Sequence, residues 1–280
     1  MSDEDWLAVN RANWDESVAA HLSHPSYDLT ALRAGRGRLY PIEAGELGDV
    51  DGLRILHLQC HFGRDSLALA QQGAFVVGLD FSPEAVATAS ALAAELGLSD
   101  RARFVCGDVY ETVATLADEP PFDVVFTTWG VLMWLPDLPR WADIIARMLK
   151  PDGWLYLAEA HPAAMVLGEG GVSGRRLPEA ATAYFTREAL ILESAAGYAN
   201  DQPLENARTY EWHHGLGDIV TALVAAGLRL DWLHEHDAVA WPLFDGLVEA
   251  EDGLWRWPET AWLPLAFSLR AGKTAASSGA

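Results

Sequence analysis

Five short stretches of this 280-residue sequence have residue types and spacing suited to ligand chemistry: Gln59–Gly63, Asp80, Asp108, Thr128-Trp129 and Glu159–His161. Each follows an apolar run, so each falls at the end of an expected strand. Asp80 stands about twenty residues beyond Gln59, where nucleoside-binding folds place the carboxylate that takes ribose hydroxyls. The rival role is a helix N-terminal carboxylate beside the better cap Ser82; the whole frame favours the ribose role. The loop Gln59-Cys60-His61-Phe62-Gly63 bears on the cofactor class. A dinucleotide needs G-x-G-x-x-G, so that backbone amides approach a pyrophosphate. Side chains replace the first two glycines here and would crowd a pyrophosphate. A nucleoside cofactor without phosphates, such as S-adenosylmethionine (SAM), stays open.

Histidines are the natural candidates for moving a proton near neutral pH. His214 and His161 rank first, then His213. His161 stands just past the fifth expected strand, before Pro162, and His213-His214 precede the turn Gly215–Gly217. For each taken alone, a structural histidine with a satisfied ring is the commoner outcome. His213-His214 and His234-x-His236 lack the i, i+4 spacing of helical zinc sites, and paired cysteines are absent, so no metal is expected.

The elements that must position these residues alternate regularly. Strands are expected at Leu53–Leu58, Ala74–Leu79, Arg103–Cys106, Phe122–Thr127 and Trp154–Glu159. Helices are expected at 3–22, Arg64–Gln72, from Pro83 to about Leu96, Val109–Ala117 and from Asp137 to Leu149. Ser82 is a good cap and Pro83 a good first helical residue. Later come a helix at Gly217–Ala226 and strands at Leu228–His234 and Pro264–Arg270. This predicts an α/β fold: a doubly wound, mostly parallel seven-stranded sheet ending in an antiparallel strand pair, with an inserted cap. Residues 1–50 read as a helical cover, 51–160 as a Rossmann-like core, 161–212 as a lid, 213–271 as completion of the sheet and 272–280 as a disordered tail.

Composition bounds the partners. The chain has 19 Lys and Arg against 40 Asp and Glu, a net charge of −21, which disfavours nucleic acid and anionic membranes. No signal-like start or spanning apolar run is visible, and Cys60 and Cys106 read as reduced thiols, so a cytoplasmic location is expected. Twelve tryptophans are many for this length; packing explains most, and a cluster beside a site would suit an aromatic or cationic ligand.

The series ILHLQCHFGRDSLALA, GLDFS, GDVYE, FDVVFTTWG and LKPDGW resembles the motifs of class I SAM-dependent methyltransferases. More narrowly, it resembles a bacterial small-molecule group with LQCHFG in the first motif. The Rossmann-like resemblance covers about residues 50–160; the group resemblance adds Trp14-Asp15-Glu16 and TYEWHHGLGDIVTAL. It implies that Gln59, Cys60, His61 and Gly63 line the methionine and ribose of SAM. Asp80 would take the ribose hydroxyls, Phe81 pack on the adenine, Asp108 meet its amino group and Val109 flank the ring. Thr128 and Trp129 would sit under the sulfonium, and the first helix, with Trp14 and His21, would fold over the cofactor. Trp134, Tyr184, Tyr210 and Trp212 are the expected acceptor-pocket residues. The sequence departs in its first motif, where His57 replaces the usual acid and Gln59 and His61 replace two usual glycines.

The resulting expectation is SAM-dependent N- or O-methylation of a small molecule by in-line transfer, with a histidine base. The competing expectations are a nicotinamide-dependent oxidoreductase and a non-catalytic SAM-binding protein. The acceptor and oligomeric state have no signature in the sequence.

Overall fold

The computed structural model describes residues 5–24, 27–167, 182–193 and 204–273. Three helices, α1 (Trp6–Ser23), α2 (Thr30–Arg33) and α3 (Pro41–Glu46), precede the sheet. Then β1 (Arg54–Leu58), α4 (Arg64–Gln71), β2 (Phe75–Asp80), α5 (Pro83–Glu95) and β3 (Ala102–Cys106) alternate. They are followed by α6 (Thr112–Thr115), β4 (Phe122–Thr128), α7 (Leu138–Met148), β5 (Leu149–Ala160) and α8 (Pro162–Met165). A hairpin, β6 (Leu190–Glu193) and β7 (Arg208–Glu211), leads to α9 (Leu216–Ala225) and β8 (Leu228–His236). The short strands β9 (Ala238–Val239), β10 (Val248–Glu249) and β11 (Trp255–Arg256) form a small sheet before β12 (Ala266–Lys273).

The main sheet has the order β3-β2-β1-β4-β5-β12-β8. Strands β1 to β5 are parallel, and β12 runs antiparallel between β5 and β8. The expected doubly wound sheet with its terminal antiparallel pair is therefore present. The order reverses between β1 and β4, so the loops after these strands diverge and open a crevice at their carboxyl ends.

Local chemistry explains the frame. Ile55, Leu56 and Leu58 of β1 are fully buried, as a central parallel strand covered on both faces requires. Ser82 Oγ accepts the Ala85 amide at 3.0 Å and Pro83 opens α5. Asp137 caps α7 through the Arg140 amide. Leu138, Trp141, Ile144, Ile145 and Met148 then bury one face of α7 in the larger core cluster.

Four expectations needed adjustment. Val109–Ala117 is not one helix but a 3-10 turn at Val109–Glu111 followed by α6. The fifth strand begins at Leu149 rather than Trp154, and β12 begins two residues later than expected. The segment completing the sheet also carries the β9–β11 sheet, which two-residue strands cannot announce by periodicity. Within the expected lid, residues 168–181 and 194–203, which include the candidate aromatic Tyr198, lie outside the described residues, as do 274–280 of the tail.

Gly63 ties fold to site. It starts α4 at φ +78°, and a Cβ there would come within 2.6 Å of two Phe104 ring atoms. Gly63→Ala combines left-handed strain with a ring clash, so a loss of about 1–3 kcal/mol is expected in denaturant unfolding.

Candidate active site

The loop after β1 keeps the backbone of glycines it does not have. Gln59 and His61 adopt φ 56° and 50°, a region that costs a side-chain-bearing residue about 1–3 kcal/mol. Strain of this kind persists only where surrounding contacts over-determine it. Here the His61 amide donates to Asp80 Oδ2 at 2.7 Å, and the Cys60 amide donates to the Leu79 carbonyl. The Gln59 side-chain amide donates to the Val131 carbonyl at 3.0 Å. Asp80 also accepts the Ser82 amide at 3.0 Å. It is buried, and desolvation, partly offset by those amides, pushes its carboxyl up to about 6.

His57, at the position of the missing acid, does not face this loop. It is buried beside Phe126 and shares a 2.8 Å hydrogen bond between Nδ1 and Ser66 Oγ. Burial alone lowers its pKa to about 3, so it is a neutral core histidine. Cys60 is likewise buried, its thiol pushed up by desolvation, and serves as packing.

Helix α1 covers the loop. His21 Nδ1 and His61 Nε2 lie 2.8 Å apart, and the Trp14 ring stands edge-on to His21, His61 and Trp134 at centroid distances of 5.7, 5.1 and 5.4 Å. Burial lowers the pKa of both histidines, His21 to about 4, which keeps the pair neutral and compatible with a shared proton. Asn10 of α1 brackets Tyr210 of β7, accepting its amide and donating to its carbonyl at 2.8 and 2.9 Å. Glu16 accepts the amides of Glu205 and Asn206. The cover and the lid strand thus form one unit.

A second loop, after β4, is held by Glu159 from β5. This buried carboxylate accepts three consecutive amides, Gly130 at 2.6 Å, Val131 at 2.6 Å and Leu132 at 2.8 Å. Trp129, at φ 57°, turns its indole away from the crevice to donate to Glu43. Its ring packs edge-on to Tyr40 and Trp241. Thr128 is buried at the strand end. At the ends of β2 and β3, Asp108 caps the 3-10 turn through the Tyr110 amide, Val109 is buried, and the Phe81 carbonyl meets the Cys106 thiol.

Beyond that loop lies a cavity of about 110 Å³. Gly130, Leu132, Met133 and Glu159 wall it from the sheet side; Glu211, Trp212, His213 and His214 wall it from the lid side. Trp241 and Phe267 add aromatic surface. Of the expected acceptor residues, Trp212 lines this cavity, packed edge-on to Trp6. Tyr184 stands behind it, its hydroxyl accepting the Leu216 amide and its ring 5.2 Å from His213. Trp14, His21 and Trp134 belong to the cover, and Tyr210 is buried in the α1–β7 contact.

The three candidate bases separate by their ring nitrogens. His161 has both engaged: Nδ1 accepts the Ala163 amide and Nε2 meets Glu235 at 3.0 Å. A carboxylate partner makes Nε2 the protonated nitrogen, so no lone pair is left. His214 spends Nε2 on the Leu135 carbonyl at 2.6 Å, which fixes its proton there. His213 is 9% exposed, and its Nε2 is buried without a protein partner. Burial pulls its pKa below the ordinary imidazole range, leaving it neutral. Three further residues line the cavity: Met133 and Trp241, which no sequence motif announces, and Glu211, which lies within TYEWHHGLGDIVTAL but has no expected role there; only the β4 loop and the lid bring them together.

Residues 55–153 match the family described as a methyltransferase domain. Ubiquinone biosynthesis O-methyltransferases are similar to the chain: that of Paracidovorax citrulli is 30% identical over 161 residues, 54% of this chain and 65% of the relative. That of Alkalilimnicola ehrlichii is 36% identical over 131 residues, 46% of this chain and 48% of the relative. The chain thus matches about half to two thirds of these relatives' length. Among solved structures, magnesium protoporphyrin IX methyltransferase from Synechocystis PCC 6803 with bound SAM aligns over 98% of this chain and 100% of its own, with TM-score 0.55 and 16% identity. The [4+2]-cyclase SpnF aligns over 97% and 94%, with TM-score 0.54 and 18% identity. The chain therefore has the fold of SAM-dependent methyltransferases, a fold that also hosts other chemistry. Among the described residues, no helix is long and apolar enough to cross a membrane, and no His, Cys, Asp and Glu cluster is placed to hold a metal.

The residues of the crevice fit SAM. Besides Asp80, two buried atoms of the β1 loop lack protein partners, Gln59 Oε1 and His61 Nδ1. An acceptor at Gln59 suits an ammonium, and a carboxylate at Asp80 suits a diol.

Two outcomes test the site. Glu159→Ala leaves three amides unsatisfied, so a loss of about 2–4 kcal/mol in denaturant unfolding is expected. The Asp80 carboxylate accepts the diol best when ionised, so affinity for S-adenosylhomocysteine in calorimetry should fall below pH 6, by at most tenfold per pH unit. Asp80→Ala should abolish micromolar binding, and a pH-independent wild-type affinity would remove Asp80 from the site.

Proposed function

We propose that the protein is a SAM-dependent methyltransferase acting on a small-molecule acceptor, at nitrogen or oxygen, with His213 as the base. The observation that carries this reading is the cavity between the β4 loop and the lid, which sets an unpartnered imidazole nitrogen beside the cofactor-side loops. Bound there, SAM would supply an electrophilic methyl group on a sulfonium. Gln59, His61 and Asp80 would hold its methionine and ribose, and Asp108, Val109 and Phe81 its adenine. Thr128, Trp129 and Gly63 shape the strand ends beneath. Such a transfer asks the protein mainly to align the nucleophile and exclude water. The edge-on packing of Trp14 over His61 and the α1–β7 bracket are suited to exclusion. His213 Nε2 would take the acceptor's proton as the new bond forms.

A methyltransferase-domain match over 55–153 favours this reading over the nicotinamide alternative, and the side-chain-lined β1 loop agrees with it. The small-molecule expectation is supported by the size of the cavity and by the net charge of −21, which opposes nucleic acid.

The test runs in two stages. Calorimetry should show micromolar binding of S-adenosylhomocysteine; a folded protein that binds neither it nor SAM sinks the proposal. With an acceptor found by screening for S-adenosylhomocysteine release, His213→Gln should lower turnover about 10²–10⁴-fold while leaving S-adenosylhomocysteine affinity within twofold. The acid limb of the wild-type rate profile should lie below the ordinary imidazole range, because burial disfavours the protonated ring. His161→Gln should lower stability more than rate.

A further inference from the structure

The charge of the cavity wall is one-sided. Among the described residues lining it, two are acidic, Glu159 and Glu211, and none is Lys or Arg. Glu159 has both oxygens committed to backbone amides. Glu211 does not. Its hydrogen bond within the chain is from the Thr209 hydroxyl at 3.2 Å, and burial raises its pKa. The Arg residues before and after it in sequence are spent elsewhere, Arg208 on Glu193, Arg187 on Asp218 and Arg229 on Asp231. A half-buried carboxylate with one weak neutral partner is costly to fold around unless a ligand completes it. Glu211 ends β7, and it, Trp212 and His213 all line the cavity. Trp212 and Trp241 add the aromatic surface that attracts organic cations, and the other lining residues include Leu132, Met133 and Phe267.

We propose that the acceptor is an amine with an apolar body, anchored as its ammonium by Glu211 against Trp212 and methylated at nitrogen. This rests on the methyltransferase reading and narrows its substrate class. The chemistry balances with groups already named. The ammonium binds at Glu211 and gives one proton to His213 Nε2. The freed nitrogen lone pair attacks the methyl carbon, the carbon–sulfur bond breaks, and its electron pair stays on sulfur as S-adenosylhomocysteine leaves. The N-methylated ammonium departs, and His213 returns its proton to solvent. Carboxylates and phosphates are disfavoured by two acidic residues and the net charge of −21; a neutral alcohol can donate to Glu211 but brings no charge to pair with it.

The experiment is calorimetry on protein saturated with S-adenosylhomocysteine, using two matched series: 2-phenylethylamine, 2-phenylethanol and phenylacetate, then octylamine, octanol and octanoate. The amine of at least one series should bind at least tenfold tighter than its alcohol and its acid. Glu211→Gln, which keeps shape and removes charge, should erase that preference while changing S-adenosylhomocysteine affinity by less than twofold. An amine that binds no tighter than its alcohol in both series overturns the proposal, as does a preference that survives Glu211→Gln. Failure of S-adenosylhomocysteine to bind overturns the underlying reading instead, and is seen before any amine is added.

Discussion

The carboxylate of Glu159 is the contact on which the site depends. By taking the amides of Gly130, Val131 and Leu132 it fixes the segment after β4 in a tight turn that would otherwise bury unsatisfied donors. Everything around the crevice then leans on that segment. Gln59 reaches the Val131 carbonyl from the β1 loop, the Trp212 amide reaches the Met133 carbonyl from the lid, and His214 reaches the Leu135 carbonyl. One buried charge thus couples the cofactor side, the acceptor side and the lid, and the surrounding amides offset the desolvation that raises its pKa.

Asp80 plays the matching part on the other side of the switch point. It holds the β1 loop through His61 and the start of α5 through Ser82, at a desolvation cost that lifts its pKa to about 6. A carboxylate buried against its own preference, next to Gln59 and His61 atoms with no partner, is a site prepared for polar groups that the chain itself does not supply. The cover helix packs Trp14 edge-on over that loop, and its Asp15 accepts the Ser82 hydroxyl and adds its charge to the causes that raise the Asp80 pKa.

Most of the strand–helix frame was legible because alternating apolar runs, Ser82-Pro83 and Asp137 are local signals with local causes. The candidate histidines were legible as types but not as roles. A ring's usefulness depends on which nitrogen is free, and that is set by Ala163 and Glu235 for His161 and by Leu135 for His214, partners up to 79 residues away. Trp129 illustrates the same limit. Its position after β4 placed it near the crevice, yet Glu43 of α3 draws its indole to the other side.

The sequence by itself determined the sheet, the acidic residue at the end of β2 and the exclusion of a pyrophosphate loop, because each rests on short-range patterns of polarity and backbone propensity. Gln59 and His61 looked like departures from a glycine motif. Only the tertiary structure decided that they keep the left-handed backbone of the glycines, because their strain is held by Asp80, Leu79, Val131 and His21, four contacts distributed over β2, the loop after β4 and α1. It likewise decided that Glu211, Trp212 and His213 share a wall with Glu159, since burial and free lone pairs are properties of packing and not of spacing along a chain.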